Sequence, residues 1–361
     1  MRRRVTSAVV FFLTSAVFFW FVYCYLHPVV RVGVAYNVAP YAMIPEAKML
    51  ASVKAYADWH NSRKGSFRYE VLSREYRDDP KEAMEYLKSH GVRVIVGFPF
   101  SQEAIAAAEV ANGGLKVPVL STIASTPVLS GMDDWFFRTR EDFSYETEQM
   151  ARLIERLGVK RLAVFWSGDN PAYAEASSKA IISRISASIV GVFRFPDDCH
   201  NLDFVESAPP DGVLVYAEPA VSYWVMDFVR ARWPDAALFL SRWSLFESVG
   251  HIEDMDGIKF YFSEVYDPTD FGEGGFYSYW RSLTSMKLGA SVRYTYGAMA
   301  LLSLAFNEDP RASGSDLRDA LSNPRSVESL GWTFDTDVYG DVFSKNRFFL
   351  FEEGSYREVT P

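Results

Sequence analysis

The chain has 361 residues, 49% of them hydrophobic and 16% aromatic, enough apolar material for two cored lobes and too much for a disordered chain. Its formal charge is −9, and without Arg2, Arg3 and Arg4 the remainder carries about −12. Such a body repels phosphate backbones, so no nucleic-acid partner is expected.

At the N-terminus the three arginines precede an uncharged run from Val5 to Leu26, about 22 residues, which as a helix spans roughly 30 Å and would cross a bilayer. The bulky Phe21-Val-Tyr-Cys-Tyr25 stretch gives a signal peptidase no small-x-small site. The expectation is therefore an uncleaved signal anchor, with membrane contact through residues 5–26, the N-terminus cytoplasmic and the body outside. A cleaved, secreted periplasmic form is the alternative, and lipidation at Cys24 is disfavoured by Tyr23. Outside this run only Cys199 remains, so the body forms no internal disulfide. Cys199-His200 is a weak metal pair that reads better as a loop.

From Val29 short β-branched runs alternate with helical segments. Val29 to Tyr36, Phe67 to Leu72, Val92 to Gly97 and Val117 to Leu120 read as strands. Glu46 to His60, a segment opened by Asp79-Pro80, and Ser101 to Ala111 read as the helices between them. A second series follows. Helices are expected over Tyr145 to Leu157, Ala172 to Ile185 and Pro219 to Arg232. Strands are expected over Arg161 to Trp166, Ile189 to Phe195, Gly212 to Tyr216, Ala237 to Leu240 and Gly257 to Phe262. Three more helices and two closing strands, Trp332 to Asp335 and Phe348 to Glu352, complete the chain. Repeated βα alternation implies parallel sheets covered by helices on both faces.

Ligands of open α/β sheets rest outside the carboxyl ends of the strands, where helix N-termini present free N–H groups. Two such places are legible: Phe98-Pro-Phe-Ser101, with Ser101 as N-cap, and Ser121-Thr-Ile-Ala-Ser-Thr-Pro127, with Thr126 and Pro127 as cap and first helical residue. These hydroxyls either cap their own helices or face a common cleft. No G-x-S-x-G elbow, P-loop, G-x-G-x-x-G or H-E-x-x-H occurs, and the five histidines are scattered. An enzyme is not expected.

The ordered series Asp78-Asp79-Pro80, Val94-Ile-Val-Gly97, Ser101, Val117-Pro-Val-Leu120, Ala124-Ser-Thr-Pro127, Phe136-Phe-Arg-Thr139, Asp169-Asn-Pro-Ala-Tyr173, Gly331-Trp-Thr-Phe-Asp335 and Gly340-Asp341 resembles the type I periplasmic binding proteins. The branch is that of the leucine/isoleucine/valine-binding proteins, substrate-binding components of ABC transporters. The resemblance implies two doubly wound parallel-sheet lobes joined by a three-crossover hinge: residues 29–140 plus 266–326, and 141–265 plus 327–361. It implies a small amino-acid-like molecule or other carboxylate held between the lobes, with no cofactor and no metal, and an ABC permease as partner. Ser101, Ala124 and Ser125 would hold the carboxylate and Tyr173 would reach in from the second lobe. Here the chain departs from the family. Where amino-acid binders carry an acid for the ammonium, it has Ser241-Arg-Trp243: Trp243 would wall the pocket and Arg242 would repel a cation. Glu218 is the substitute acid, and Tyr41 stands in a first loop that lacks the family's glycines. A branched-chain amino acid is therefore a doubtful ligand. The alternative is a membrane-anchored sensory or interaction module of the same fold whose altered cleft is filled by Trp243, Phe98 and Phe100.

Overall fold

Strand β1 (Val29–Asn37) pairs in parallel with β2 (Arg68–Tyr76) on one side and β3 (Val94–Gly97) on the other. With β4 (Val119–Ser121) and β5 (Phe136–Arg138) they form a five-stranded parallel sheet in the order β2-β1-β3-β4-β5. Every residue of β3 and β4 is buried, as expected of central parallel strands covered on both faces. Helices α1 (Met43–Ser62), α2 (Lys81–Ser89) and α3 (Ser101–Val110) make the crossovers. The computed structural model describes residues 28–39, 43–63, 65–198, 209–245, 257–267, 275–286 and 288–361.

The chain leaves the first sheet through 139–142 and enters α4 (Phe143–Arg156), capped by Asp142, whose carboxylate accepts from Ser144 N at 2.8 Å. The second sheet is built from β6 (Arg161–Ser167), β7 (Ser188–Phe195), β8 (Gly212–Tyr216), β9 (Ala237–Leu240) and β10 (Phe260–Glu264), with α5 (Ala174–Ile182) and α6 (Pro219–Arg232) between strands. The chain then returns to the first lobe as α7 (Gly275–Leu283), α8 (Ala290–Glu308) and α9 (Ser315–Leu321). Helix α8 is held against α1, where Tyr56 and Ser303 hydroxyls meet at 3.0 Å.

A three-stranded antiparallel ribbon, β11 (Ser326–Glu328), β12 (Thr333–Thr336) and β13 (Val342–Phe343), leads to β14 (Arg347–Glu352) and β15 (Ser355–Val359). β14 adds antiparallel to β10 and β15 antiparallel to β14, giving the order β15-β14-β10-β9-β8-β6-β7. The two-lobed α/β arrangement agrees with expectation, except that β5, β11, β13 and β15 were not foreseen as strands. Thr126 does cap a helix, its side chain accepting from Val128 N, but that helix is a single 3-10 turn, Pro127–Leu129. Ser101 is the first helical residue and not the cap, which falls on Phe100.

The membrane-spanning part of the expected fold class is corrected. Among the described residues no helix is long and apolar enough to cross a membrane. The two longest, α1 and α8, carry Glu46, Lys48, Lys54 and Asp58, and Arg293 and Glu308, charges that an apolar span excludes. Residues 5–26, on which the anchor was placed, lie outside the described residues. The transmembrane helix, the membrane contact and the single-pass location are accordingly withdrawn.

Candidate functional site

The strands of both sheets end at a common crevice, and its walls follow from how each strand stops. Gly97 closes β3 where its backbone runs against Ala35 O of β1, with no room for a Cβ. The chain then turns through Phe98, whose φ is +55°, and Pro99 into α3. Phe98 is thereby directed away from the crevice into the opposite core, 5.7 Å from the Tyr76 ring. Phe100 and Ser101 face the crevice instead.

Next to them, the loop after β4 folds on its own hydroxyls. Ser121 Oγ donates to Phe98 O at 2.8 Å and accepts from Ala124 N at 3.3 Å. Ser125 N donates to Ser101 Oγ at 3.4 Å, a long bond that an incoming acceptor could replace. Ser101 and Ser125 therefore lie side by side, each 2% exposed. The Ala124 amide is engaged by Ser121 and its side chain packs in the core.

The facing wall comes from the second lobe. The loop after β6 brings Asn170 and Tyr173, and a 3-10 turn after β9, Trp243–Leu245, brings Trp243. Trp243 meets Phe100 at 6.2 Å between centroids and Tyr173 at 6.2 Å, both edge-on. Gln102 N donates to Asn170 Oδ1 at 3.3 Å, so the two lobes touch across the crevice. The lining residues are Pro99, Phe100, Ser101, Ile123, Ser125, Arg140, Asn170, Tyr173 and Trp243, around a residual cavity of about 20 Å³, room for one water. Wider grooves lie on the outer faces, one of about 720 Å³ beside Lys81, Glu85 and Glu109, but they are open and do not lie between the lobes.

Arg242 does not project into the crevice. Its Nη1 lies 2.6 Å from Glu141 Oε1 and its Nε 3.7 Å from Glu146 Oε2, with the Arg242 side chain 1% exposed. The same Glu146 oxygen meets Arg140 Nη2 at 3.3 Å, and its other oxygen accepts from Ser263 Oγ at 2.8 Å. Glu264 and Tyr294 close the cluster, the tyrosine accepting from Arg242 Nη1 and donating to Glu264 Oε1, each at 3.2 Å. Burial alone would push the Glu141 carboxyl up, but Arg242, Arg140 and a hydrogen bond from Ser344 outweigh it and hold it below the ordinary value. For Glu264 burial prevails over Arg242 and the carboxyl is raised. The expected repulsion of a cation by Arg242 is thus cancelled by its partners, and Arg140, which sequence reasoning did not single out, is the guanidinium that reaches the crevice wall.

Glu218 stands at the N-cap position of α6 and is not among the lining residues. Burial raises its carboxyl. Tyr41 lies outside the described residues, as do Cys199 and His200. Ser101, Ser125, Tyr173 and Trp243 are therefore brought together, while Ala124 and Glu218 are not. Pro99, Phe100, Ile123, Arg140 and Asn170 complete the lining, and of these only Phe100 is expected from the sequence, as a filler.

Comparison with known proteins agrees with this geometry. The family model described as a periplasmic binding protein matches residues 29–203. No curated protein sequence matches. Among solved structures, the chain is similar to the leucine-binding protein LivK of Thermotoga maritima at 16% identity and a TM-score of 0.76, over 92% of this chain and 98% of that one. It is similar to the branched-chain amino acid substrate-binding protein LivJ of Streptococcus pneumoniae, solved with isoleucine, at 14% identity and 0.77, over 92% and 100%. A Rhodopseudomonas palustris solute-binding protein in complex with benzoate matches at 14% and 0.76, over 92% and 96%. The fold is that of the type I periplasmic binding proteins, and it matches non-catalytic solute-binding proteins.

Proposed function

We propose that the chain is an extracytoplasmic solute-binding protein that closes its two lobes over a small carboxylate lacking an ammonium group and presents it to an ABC-type permease. The lobes would be residues 29–140 with 266–326 and residues 141–265 with 327–361. One observation carries the reading. Among the described residues, the crevice pairs the hydroxyls of Ser101 and Ser125 with the aromatic edges of Tyr173 and Trp243 and includes Arg140 but no Asp or Glu. A carboxylate finds donors and a cation there, whereas an amino acid's ammonium would be buried without a counter-charge, at a cost of several kcal/mol by the usual Born-type penalty. Proteins of this fold solved with isoleucine and with benzoate are equally similar to the chain, so the preference for an acid without an ammonium rests on the crevice lining. Calorimetry with benzoate and with leucine tests this. Benzoate should bind and leucine should not, and the reverse order would overturn the ligand class.

A second reading is favoured by one observation: Phe100 and Trp243 meet across the crevice and leave only about 20 Å³. On that reading the crevice is filled by the chain's own side chains and the protein is a sensory or interaction module that has lost its ligand. Small-angle scattering separates the two. A solute receptor should contract on adding benzoate, and a self-filled module should keep one radius of gyration whatever is added.

A further inference from the structure

Three buried groups, the Tyr173 hydroxyl in the crevice wall and the Tyr216 hydroxyl and Arg242 Nη2 behind it, have no hydrogen-bond partner among the described residues. The two phenol rings are 5.5 Å apart, and the Arg140 guanidinium sits 5.6 Å over the Tyr173 ring. Arg140 and Arg242 share the same oxygen of Glu146, so that carboxylate is already occupied by cations. A buried polar group left unsatisfied is costly, and native proteins tolerate few. Arg242 Nη2 can only donate and each phenol has a proton to donate, so one kind of partner, an oxygen acceptor, would satisfy all three.

Resting on the carboxylate reading above, we infer that the ligand carries a second oxygen function at the end remote from its carboxylate, received by Tyr173 with Tyr216 and Arg242 behind it. The carboxylate would rest on Ser101 and Ser125 from the first lobe, and the second oxygen on donors from the other lobe, so the ligand itself bridges the two. A ligand with only one polar end would leave the second set of donors unpaired when the lobes close. Burial, reinforced for Tyr173 and Tyr216 by Glu146, keeps both phenols protonated through the neutral range, so they act as donors there.

Three para-substituted probes of similar size test this by calorimetry: 4-hydroxybenzoate, terephthalate and 4-methylbenzoate. At least one of the two oxygenated acids should bind about tenfold or more tightly than 4-methylbenzoate, because a site built to hydrogen-bond an oxygen rejects an analogue lacking it. Tyr173→Phe, which keeps the ring against Trp243, should bring that ratio toward one while moving the 4-methylbenzoate affinity by less than about twofold. Tyr216→Phe should lower the ratio in the same direction, and thermal melts of both variants check that the fold is retained. Equal binding of all three acids by the parent protein overturns the inference and leaves the carboxylate reading standing, as does a ratio unchanged in both variants. Binding of leucine with none of the aromatic acids bound overturns both.

Discussion

Glu141 lies in the segment that leaves the first sheet, and Arg242 follows the last residue but one of the loop after β9, yet their charged atoms are 2.6 Å apart with both side chains buried. The pair joins a lobe connection to a crevice-wall turn, since Trp243 is the next residue in the chain. It is the centre of a cluster in which two guanidiniums face the carboxyls of Glu141, Glu146 and Glu264.

Breaking that pair from one side leaves a buried charge without its partner. Glu141→Gln should cost about 3–5 kcal/mol, read as a lowered urea midpoint with an unchanged slope. Arg242→Met combined with Glu141→Leu should cost less than the sum of the two single changes, because neither charge is then left alone. Additive single effects would show the pair to be uncoupled.

On the crevice's first-lobe side, Ser101→Ala and Ser125→Ala remove hydroxyls expected to receive the ligand carboxylate. Each should weaken benzoate binding by about 1–3 kcal/mol, the range for a hydrogen bond to a charged group. Calorimetry measures the loss, and an affinity unchanged in both variants would move the carboxylate elsewhere in the crevice.

Glu46 gives a pH signature away from the crevice. It is wholly buried on α1, and burial, followed by repulsion from Glu103, holds its carboxyl well above the ordinary value. A value raised in the folded state means that the folded chain holds the proton more tightly. That contribution is full below the ordinary glutamate value of about 4.3 and is lost as pH rises through the raised value. Glu46→Gln mimics the protonated side chain, so its Tm should match the parent's near pH 4 and exceed it increasingly toward pH 8. A Tm difference that stays constant with pH would sink this account.

Gly340 combines a left-handed backbone, φ +75°, with the Phe137 ring standing where a Cβ would go. Gly340→Ala should therefore destabilise by at least about 1–2 kcal/mol from the backbone conformation alone, with more from the collision. Thermal unfolding measures it. A Gly131→Ala control, also at positive φ but with open space around its Cβ position, should lose less.

Much of the framework could be read locally. Strands β8 and β9 and helix α6 fall where Gly, Pro and polar residues punctuate apolar runs, and their ends agree with the sequence expectation residue for residue. Strand β15 could not be found that way: Ser355–Val359 is largely exposed and becomes a strand because β14 offers it an edge. β5 and β11 have three residues each, too few for a period to show.

In the crevice, the order of motifs along the chain led to Ser101, Ser125, Tyr173 and Trp243, because each follows the carboxyl end of a strand or opens a helix. The fates of the arginines were not legible. Arg138 is drawn to Asp341 at 2.5 Å, Arg242 to Glu141, and Arg140 to Glu146 at the crevice wall. Residues of one type thus acquire different surroundings according to which carboxylate the fold brings near. Alternation of apolar and polar residues acts over one turn or one pleat, so the amino-acid order was enough for two series of strands and helices, with the hydroxyls at the strand ends open to either role. Charge pairing in a dry interior depends on separations of a few ångströms between residues as much as 203 apart in the chain. Only the tertiary structure could decide that Arg242 is neutralised, that Arg140 lines the crevice, and that among the described residues the Tyr173 and Tyr216 hydroxyls find no hydrogen-bond partner.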